Sequence, residues 1–412
     1  MAETYELMNK DRVVLRFEAS QKADDFPVSE MLEPDGLPFG FTDMRDFLAQ
    51  RRAPKHRAHI ERLLRLCQCD TLWGFLNVTH ALSLNDTFWC RPADSDLCWG
   101  RVSLFHGEFN EVIARIAFEG GLRGEVFSST SPEFSTDGSF AKCWKVVEGR
   151  ISLLKTGSRG THNSGLEPYS EVLACQLGRA LGLPTVDYAL ASVRDREGGR
   201  RMPASLCSLF TSEDVGFVPA RRLLETPYPS MGRLLELYEG VGAGEQFRRL
   251  IVLDAIAVNP DRHIGNHGML FDANTLKLLG MAPVFDNNMA LCPYACDSDL
   301  DDLPRWAAME LRPKIGDDFN LVAHALLTPP IRRDLRDLSD FRFDRTKAPN
   351  FPAERFDALE ELVHTQVIAV LKGTPFNRER PMSEADSAEL LKQLEGWPDD
   401  DALRIESSSD CL

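Results

Sequence analysis

The sequence predicts an α+β protein in which a small antiparallel sheet with one helix precedes a mainly helical region. Two observations predict this layout. Four short apolar runs lie between residues 142 and 210, and polar turns or one amphipathic helix separate them, which is typical of antiparallel strands. From about Phe217 onward, apolar residues recur instead at the three- and four-residue spacing of helices. We therefore expect two unequal lobes and a further N-terminal domain.

The length and composition of the chain are those of a globular protein with two to three domains. It has 412 residues, of which 43% are hydrophobic, so it can bury one large core or several ordinary ones. We place an N-terminal accessory domain at residues 1–125, a smaller lobe at 126–213, a larger lobe at 214–375 and an acidic tail at 376–412. We expect disorder in the last dozen residues, because they are acidic and Ser-rich.

The charge of the chain argues against two classes of partner. Its formal net charge is −16 and its pI is about 5.1, whereas general binders of nucleic acids or anionic membranes carry an excess of Lys and Arg. No apolar run reaches the roughly 18 residues of a membrane-spanning helix. Because ten cysteines are too sparse for a disulfide scaffold and the start of the chain lacks a signal peptide, we expect a location in the reducing cytoplasm.

The first 125 residues carry few functional signals. They contain a basic helical stretch at 51–65, which we interpret as a solvated helix face, and a packed helical element at 96–121. The close pair Cys67 and Cys69 lacks the spacing of a structural zinc site. These observations predict a folded domain and assign no activity to it.

The smaller lobe begins with a loop and two strands. Residues 127–139 are dense in small hydroxyl side chains and end at Ser139. Such a loop can cover phosphates with backbone N–H groups and hydroxyls, although a simple connection would have the same composition. Strands are expected at 142–147 and 150–155 because both runs are apolar and bounded by turn residues.

A helix and two more strands complete the predicted sheet. The helix begins near Pro168 and ends at Gly182, which are the residue types typical of a helix start and a helix end. The strands follow at 186–193 and 203–210. The polar segment after them would form the hinge between the two lobes, with adenine against it, and we select Glu213 there as a nucleotide-binding candidate.

Lys155 and Glu171 form a candidate pair for the phosphates of a nucleotide. Lys155 ends the second strand, and Glu171 follows 16 residues later in the first helical turn. A strand lysine paired with a helix glutamate is one known way to hold the α- and β-phosphates of ATP. The structural alternative is a solvated lysine and a glutamate that the helix dipole favours.

The most informative stretch is the hexapeptide Asp-Arg-His-Ile-Gly-Asn at 261–266, which is followed 20 residues later by Asp286. A helix is predicted at 246–259 and stops at Pro260, because proline cannot continue it. Two apolar runs, 267–271 and 276–285, are joined by turn residues and predict a β-hairpin that ends at Asp286.

The order of these polar residues fits phosphoryl transfer with Mg·ATP. This reaction needs a carboxylate near the attacking hydroxyl and hard oxygen ligands for Mg²⁺. Asp261 and Asn266 on one loop can divide these two tasks, and Asp286 can complete the metal site. Each residue alone is also a common turn residue, but the fixed motif together with the downstream Asp favours the functional interpretation.

Taken together, these motifs resemble the HipA-like kinase family over about residues 126–375. The resemblance rests on the strand lysine, the helix glutamate, Asn259-Pro260-Asp261-Arg262-His263-x-x-Asn266 and Ala282-Pro283-Val284-Phe285-Asp286. It implies a two-lobed protein-kinase-like fold and ATP-dependent phosphorylation of Ser or Thr on proteins. Lys155 would hold ATP phosphates with Glu171 as its ion pair, Asp261 and His263 would be catalytic, and Asn266 and Asp286 would bind Mg²⁺.

The acceptor is left open by the sequence. The resemblance raises a toxin-like role, an antitoxin-like protein partner, and autophosphorylation in the hydroxyl-rich loop. The Asp-Arg-His-x-x-Asn motif is also similar to the loop of phosphatidylinositol kinases, so a lipid or small-molecule kinase is one alternative. An inactive nucleotide-binding scaffold that acts through a partner is another. The segment after Asp286, Asn287-Asn288-Met289, and the loop at 127–139 both depart from the motifs of ordinary protein kinases.

Overall fold

The computed structural model of the chain describes residues 2–21, 25–55, 59–119, 131–159, 164–194 and 201–376. Within these ranges the fold is mixed α/β, with three small antiparallel sheets and twelve α-helices. None of the described helices combines the length and the apolar surface needed to span a bilayer. The predicted boundary at 125/126, the start of the hydroxyl-rich loop and the tail beyond Phe376 lie outside the described residues.

The N-terminal domain is built on a four-stranded antiparallel sheet. Its strands, in the spatial order β3-β2-β1-β4, are β1 (Glu3–Asn9), β2 (Arg12–Ala19), β3 (Val28–Met31) and β4 (Phe88–Pro92). Between β3 and β4 the chain forms the helices α1 (Met44–Arg51), α2 (Ile60–Leu66) and α3 (Leu72–Thr79). Phe17 of β2, Leu48 of α1 and Phe75 of α3 are fully buried in one shared core. The strands and helices therefore fold as a unit.

The helical stretches predicted in this domain are divided in the structure. In the basic stretch, α1 ends at Arg51 and α2 begins only at Ile60. The interval 96–121 contains two helices, α4 (Trp99–Val102) and α5 (Glu111–Glu119). Gly107 between them has a φ of +74°, a conformation that ends a helix and that glycine adopts without strain. The single packed helical element predicted at 96–121 is therefore two shorter helices in the structure.

The second sheet follows the predicted order of elements. Its strands, in the spatial order β5-β6-β8-β7, are β5 (Lys142–Val147), β6 (Arg150–Thr156), β7 (Tyr188–Arg194) and β8 (Arg201–Ser208). The predicted helix, α6 (Glu167–Ala180), connects β6 to β7 and packs against the sheet. Phe118 of α5 also packs against Leu154 of β6. The N-terminal domain thus contributes to the packing of this sheet.

The third sheet contains the predicted hairpin and one strand that was not predicted. Its strands, in the spatial order β11-β10-β9, are β9 (Val215–Pro219), β10 (Gly268–Asp272) and β11 (Leu278–Met281). The second hairpin strand is shorter than the predicted run at 276–285, and Val284 instead forms an isolated bridge to Thr185. The prediction of mainly helical structure from Phe217 onward was wrong at β9, because this segment pairs with β10 over its full length.

The remaining chain is helical and packs around one central helix. Its helices are α7 (Met231–Glu239), α8 (Gly244–Ile256), α9 (Leu303–Glu310), α10 (Phe319–Ala325), α11 (Pro329–Asp337) and α12 (Ala353–Lys372). Helix α8 contacts α7, α10 and α12, and its residues Phe247, Leu250 and Val252 are fully buried. Because α8 is buried on most sides, it fixes the position of the loop that follows it.

The N-terminal domain is bound to the rest of the chain by polar contacts. The Asn9 side chain donates to the Ala273 carbonyl at 2.9 Å, and Arg222 donates to Asp46 at 2.9 Å. The backbone N–H of Phe217 donates to the carbonyl of Asn85 at 2.7 Å. These contacts join the N-terminal domain to the predicted larger lobe, 214–375.

Candidate active site

Lys155 joins two carboxylates that are far apart in the sequence. Its Nζ lies 3.0 Å from Glu171 Oε1 and 2.5 Å from Asp286 Oδ1. Glu171 is fully buried in α6, and its second oxygen accepts the N–H of Asn287 at 2.7 Å. The side chain of Asp286 remains about one third exposed. The predicted ion pair of Lys155 and Glu171 is present, and Asp286 is part of the same group.

The electrostatics of this group follow from one ammonium that faces two carboxylates. Burial disfavours the charged form of each residue. For Lys155 the two carboxylates outweigh burial, so its pKa is raised and it stays protonated. For Asp286, burial is outweighed by Lys155 and more weakly by Lys142, so its pKa lies below the usual range. Burial dominates for Glu171, whose pKa is raised. The group keeps Asp286 ionised at neutral pH.

Asp286 has an unusual backbone conformation, with a φ of +57°. Only Asn, Asp and Gly adopt this region with any frequency. Its N–H faces the Tyr188 hydroxyl at 3.3 Å, and the preceding carbonyl, of Phe285, accepts from Arg262 at 3.0 Å. The contacts on both sides hold the turn that directs the carboxylate toward Lys155.

The loop at 261–266 is closed by its own asparagine. The Asn266 amide donates to the carbonyl of Asp261 at 2.8 Å and accepts the N–H of His263 at 3.0 Å. The Asp261 N–H in turn donates to Asn259 at 3.1 Å. An amide supplies both a donor and an acceptor in a fixed geometry, so the spacing of Asp261 and Asn266 is set by these bonds.

Asp261 and His263 lie at the open side of this loop. The side chain of Asp261 is about one third exposed and pairs with the ammonium of Lys314 from the segment after α9. His263 accepts the N–H of Gly265 at its Nδ1 at 3.0 Å, so its proton belongs on Nε2. Burial lowers the pKa of His263, and Asp261 offsets this only in part. His263 is therefore a neutral imidazole at pH 7.

Arg262 has a structural role that sequence reasoning did not identify. It is 2% exposed and binds Asp254 of α8 with two hydrogen bonds, of 2.9 and 3.0 Å. It also donates to the carbonyls of Asn266 and Phe285 and to the Asn287 side chain. Arg262 thus connects α8, the 261–266 loop and the Asp286 turn. The available signal was the spacing of Asp254 and Arg262 around Pro260.

A cavity of about 300 Å³ is lined by five of the predicted site residues, whereas Asp261 and Glu171 are not part of its lining. Lys155, Asn266, Asp286 and His263 all line it, and so does the predicted loop residue Ser139. Two further cations that sequence reasoning missed also line the cavity, Lys142 and Arg221. Lys142 lies opposite Lys155 in the pairing of β5 with β6. Arg221 binds Asp137 at 3.1 Å. The cavity therefore combines cations and carboxylates on one side.

The other side of the cavity is apolar. Phe210, Phe217 and Phe285 line it and contact one another at ring-centroid distances of 5.4 to 5.5 Å. Val186 and Leu153 add aliphatic surface. A site with one apolar and one charged end suits a ligand with a flat ring and an anionic chain.

Glu213 lies outside this lining. Its carboxylate accepts from Trp99 Nε1 at 2.7 Å and from Ser103 Oγ at 2.8 Å, so its side chain is directed to the N-terminal domain. Its neighbours Phe210 and Thr211 line the cavity in its place. The role of Glu213 in nucleotide binding stays a prediction. The start of the hinge segment, at Thr211, does line the cavity.

The oxygen donors of the cavity fit Mg²⁺. Asn266 and Asp286 offer an amide oxygen and a carboxylate, which are hard ligands. The amide oxygen of Asn266 already accepts one N–H, but a carbonyl oxygen has a second lone pair. The described residues contain no group of three or more His, Cys, Asp or Glu side chains that could hold a metal. Two ligands suit a Mg²⁺ ion that is bound together with substrate phosphates.

Comparisons with known proteins find similar solved structures only. No protein family model matches the sequence, and no curated protein matches it. The structure is similar to the proinflammatory kinase CtkA of Helicobacter pylori, with 18% identity, a TM-score of 0.41, and coverage of 62% of this chain and 94% of that one. It is also similar to HipA in a complex with HipB and operator DNA from Shewanella oneidensis MR-1, with 13% identity, a TM-score of 0.49, and coverage of 95% of each chain.

The second of these structures carries the name of the family that the sequence motifs resemble, HipA. One of these structures is named as a kinase and the other as HipA. At these identities and TM-scores, the function of this chain has to be derived from its own site.

We expect Arg262→Met to destabilise the fold strongly. Asp254 would be left as a buried carboxylate without its cation, which costs about 3–5 kcal/mol. Urea unfolding of the variant and the wild type measures this difference. The double variant Arg262→Met/Asp254→Leu removes both charges and should regain part of the loss. A double variant as unstable as the sum of the single ones would contradict coupling between the two residues.

The burial of His267 predicts that the stability of the protein depends on pH. It is 3% exposed, its Nδ1 contacts the Tyr238 hydroxyl at 2.6 Å, and burial, then Arg262, lowers its pKa to about 3. An unfolded histidine has a pKa of about 6.5. Between these values the unfolded state binds one more proton, so the free energy of unfolding falls as the pH falls.

The variant His267→Gln should lose this contribution. Between pH 7 and pH 5, the buried histidine should lower the free energy of unfolding of the wild type by about 2 kcal/mol. The fall in the free energy of unfolding of the variant over the same range should be smaller by about this amount. Urea unfolding at both pH values measures the two losses. Equal losses in the two proteins would contradict a neutral, buried His267.

Proposed function

We propose that the chain is a Mg·ATP-dependent kinase with a two-lobed, protein-kinase-like arrangement around the cavity. One observation carries this proposal. Lys155, paired with the buried Glu171, and Asp286 line a cavity together with Asn266 of the 261–266 loop, beside the apolar surface of three phenylalanine rings. Positioning and charge neutralisation are what phosphoryl transfer requires of a protein.

The phosphates of ATP would lie at the charged end of the cavity. Lys155 would leave Asp286 for the α- and β-phosphates while Glu171, buried behind it, keeps the ammonium oriented. Lys142 and Arg221 would add positive charge. Asn266 and Asp286 would hold Mg²⁺, which neutralises phosphate charge when bound. The Asp286 turn is fixed by Arg262, so its carboxylate is in place before ATP arrives.

Asp261 would receive the acceptor hydroxyl. It is the exposed carboxylate of the loop, and Asn266 fixes its backbone at 2.8 Å. The acceptor would have to replace Lys314 at this carboxylate, and the displaced ammonium would remain close to the transferring phosphate. His263, which is neutral and donates from Nε2, would contact the substrate at the same edge. Positioned groups of this kind supply most of the rate enhancement in such enzymes.

Ser or Thr hydroxyls of proteins are the acceptors that the family resemblance favours. Ser135, Thr136 and Ser139 line the cavity, which supports autophosphorylation within the described part of the hydroxyl-rich loop. The same resemblance supports an antitoxin-like protein partner and a toxin-like role. The net charge of −16 supports the absence of general nucleic-acid binding, and the sparse cysteines support a location in the reducing cytoplasm.

ATP turnover by the purified chain tests this function. We expect Asp261→Asn, Asp286→Asn and Lys155→Met each to lower phosphate transfer at least about a hundredfold, because each removes a group that acts on the transition state. Asp337→Asn, an exposed position at the end of α11, is the control and should keep wild-type activity. Thermal unfolding shows whether each variant is folded.

The acceptor is tested in parallel reactions with a protein mixture, phosphatidylinositol vesicles and small sugars. Transfer of phosphate to proteins would support the proposal. Transfer to lipids or sugars alone would instead identify the chain as a lipid or small-molecule kinase. Stabilisation by Mg·ATP without any product would instead indicate a nucleotide-binding scaffold. Unchanged transfer in folded Asp261→Asn would contradict the catalytic role of Asp261.

A further inference from the structure

Part of the cavity wall belongs to the N-terminal domain. Ser83, Leu84 and Asn85, between α3 and β4, line the cavity together with the residues of the 261–266 loop and the second sheet. We propose that this segment is the nucleoside subsite of the enzyme, with the Asn85 amide recognising the base of ATP. The inference rests on the proposed function and gives the N-terminal domain a role in it.

The segment is attached to the apolar end of the cavity. The Leu84 carbonyl accepts the hydroxyl of Thr211, which adjoins Phe210. The Asn85 carbonyl accepts the N–H of Phe217 at 2.7 Å. Both contacts therefore place the segment beside the aromatic rings of Phe210 and Phe217. A base that packs against these rings would meet the segment at its edge.

The N-terminal domain holds the segment in one position from the other side. Asp86 receives two hydrogen bonds from Arg51, of 2.8 and 2.9 Å. Thr87 is fully buried and donates to Asn9 at 2.6 Å. Leu84 is 4% exposed and packs in a cluster with Trp89. A segment fixed before binding loses little conformational entropy when the ligand arrives.

The Asn85 side chain is the polar group suited to recognition. It is exposed, and in the part of the chain that the structure describes it makes no side-chain hydrogen bond. A carboxamide offers one donor and one acceptor side by side, the combination that pairs with the edge of an adenine ring. The nearby cations, Lys155 and Arg221, would hold the phosphates, so the two ends of the ligand would meet different chemistry.

Binding measurements on Asn85→Ala test the inference. Isothermal titration with ATP and with inorganic tripolyphosphate, both with Mg²⁺, separates the base end from the phosphate end. We expect the variant to bind ATP roughly fivefold more weakly, the effect of about one hydrogen bond, and to bind tripolyphosphate as the wild type does. Asn77→Ala, an exposed asparagine on α3 of the same domain, is the matched control and should bind both ligands normally.

The outcomes distinguish this inference from the proposed function. Wild-type protein that binds ATP, with Asn85→Ala binding it equally well, would overturn the nucleoside subsite alone. A variant that loses ATP and tripolyphosphate affinity to the same degree would also overturn it, because the contact would then not involve the base. Wild-type protein that binds neither ligand would overturn the proposed function, and the subsite with it.

Discussion

The buried ammonium of Lys155 is the interaction on which the rest of the site depends. It lies between a carboxylate of α6 and the carboxylate of Asp286, at 3.0 and 2.5 Å. Without a ligand to replace one of these partners, separation of the pair would leave a charge uncompensated in a poorly solvated place. The sheet that carries Lys155, the helix that carries Glu171 and the turn after β11 are therefore held in one arrangement, and the cavity forms where they meet.

A second buried cation, Arg262, holds the 261–266 loop in the same way. Its guanidinium donates to Asp254, to two backbone carbonyls and to Asn287, so it connects α8, the loop and the Asp286 turn. The groups that would act on substrate, Asp261 and His263, lie at the exposed edge of this frame. Buried charges thus fix the backbone, and exposed ones remain available for a ligand.

The N-terminal domain, which the sequence predicts as an accessory unit, contributes to the cavity in the structure. Its segment at 83–85 lines the cavity, and its residues Trp99 and Ser103 occupy the carboxylate of Glu213. Because Glu213 is engaged there, the hinge segment presents Phe210 and Thr211 to the cavity. A partner that binds the N-terminal domain would therefore contact a domain that is continuous with the site.

The sequence by itself determined the order of the elements and of the polar residues. Strand β6 with Lys155, helix α6 with Glu171, the stop at Pro260, the loop at 261–266 and the hairpin before Asp286 all follow from local patterns, since periodicity, proline and turn residues act over a few positions. Only the tertiary structure decided that Asp254 binds Arg262, that 215–219 is a strand, that Glu213 binds the N-terminal domain and that Asn85 lines the cavity. These depend on contacts between segments far apart in the chain, which no local pattern specifies.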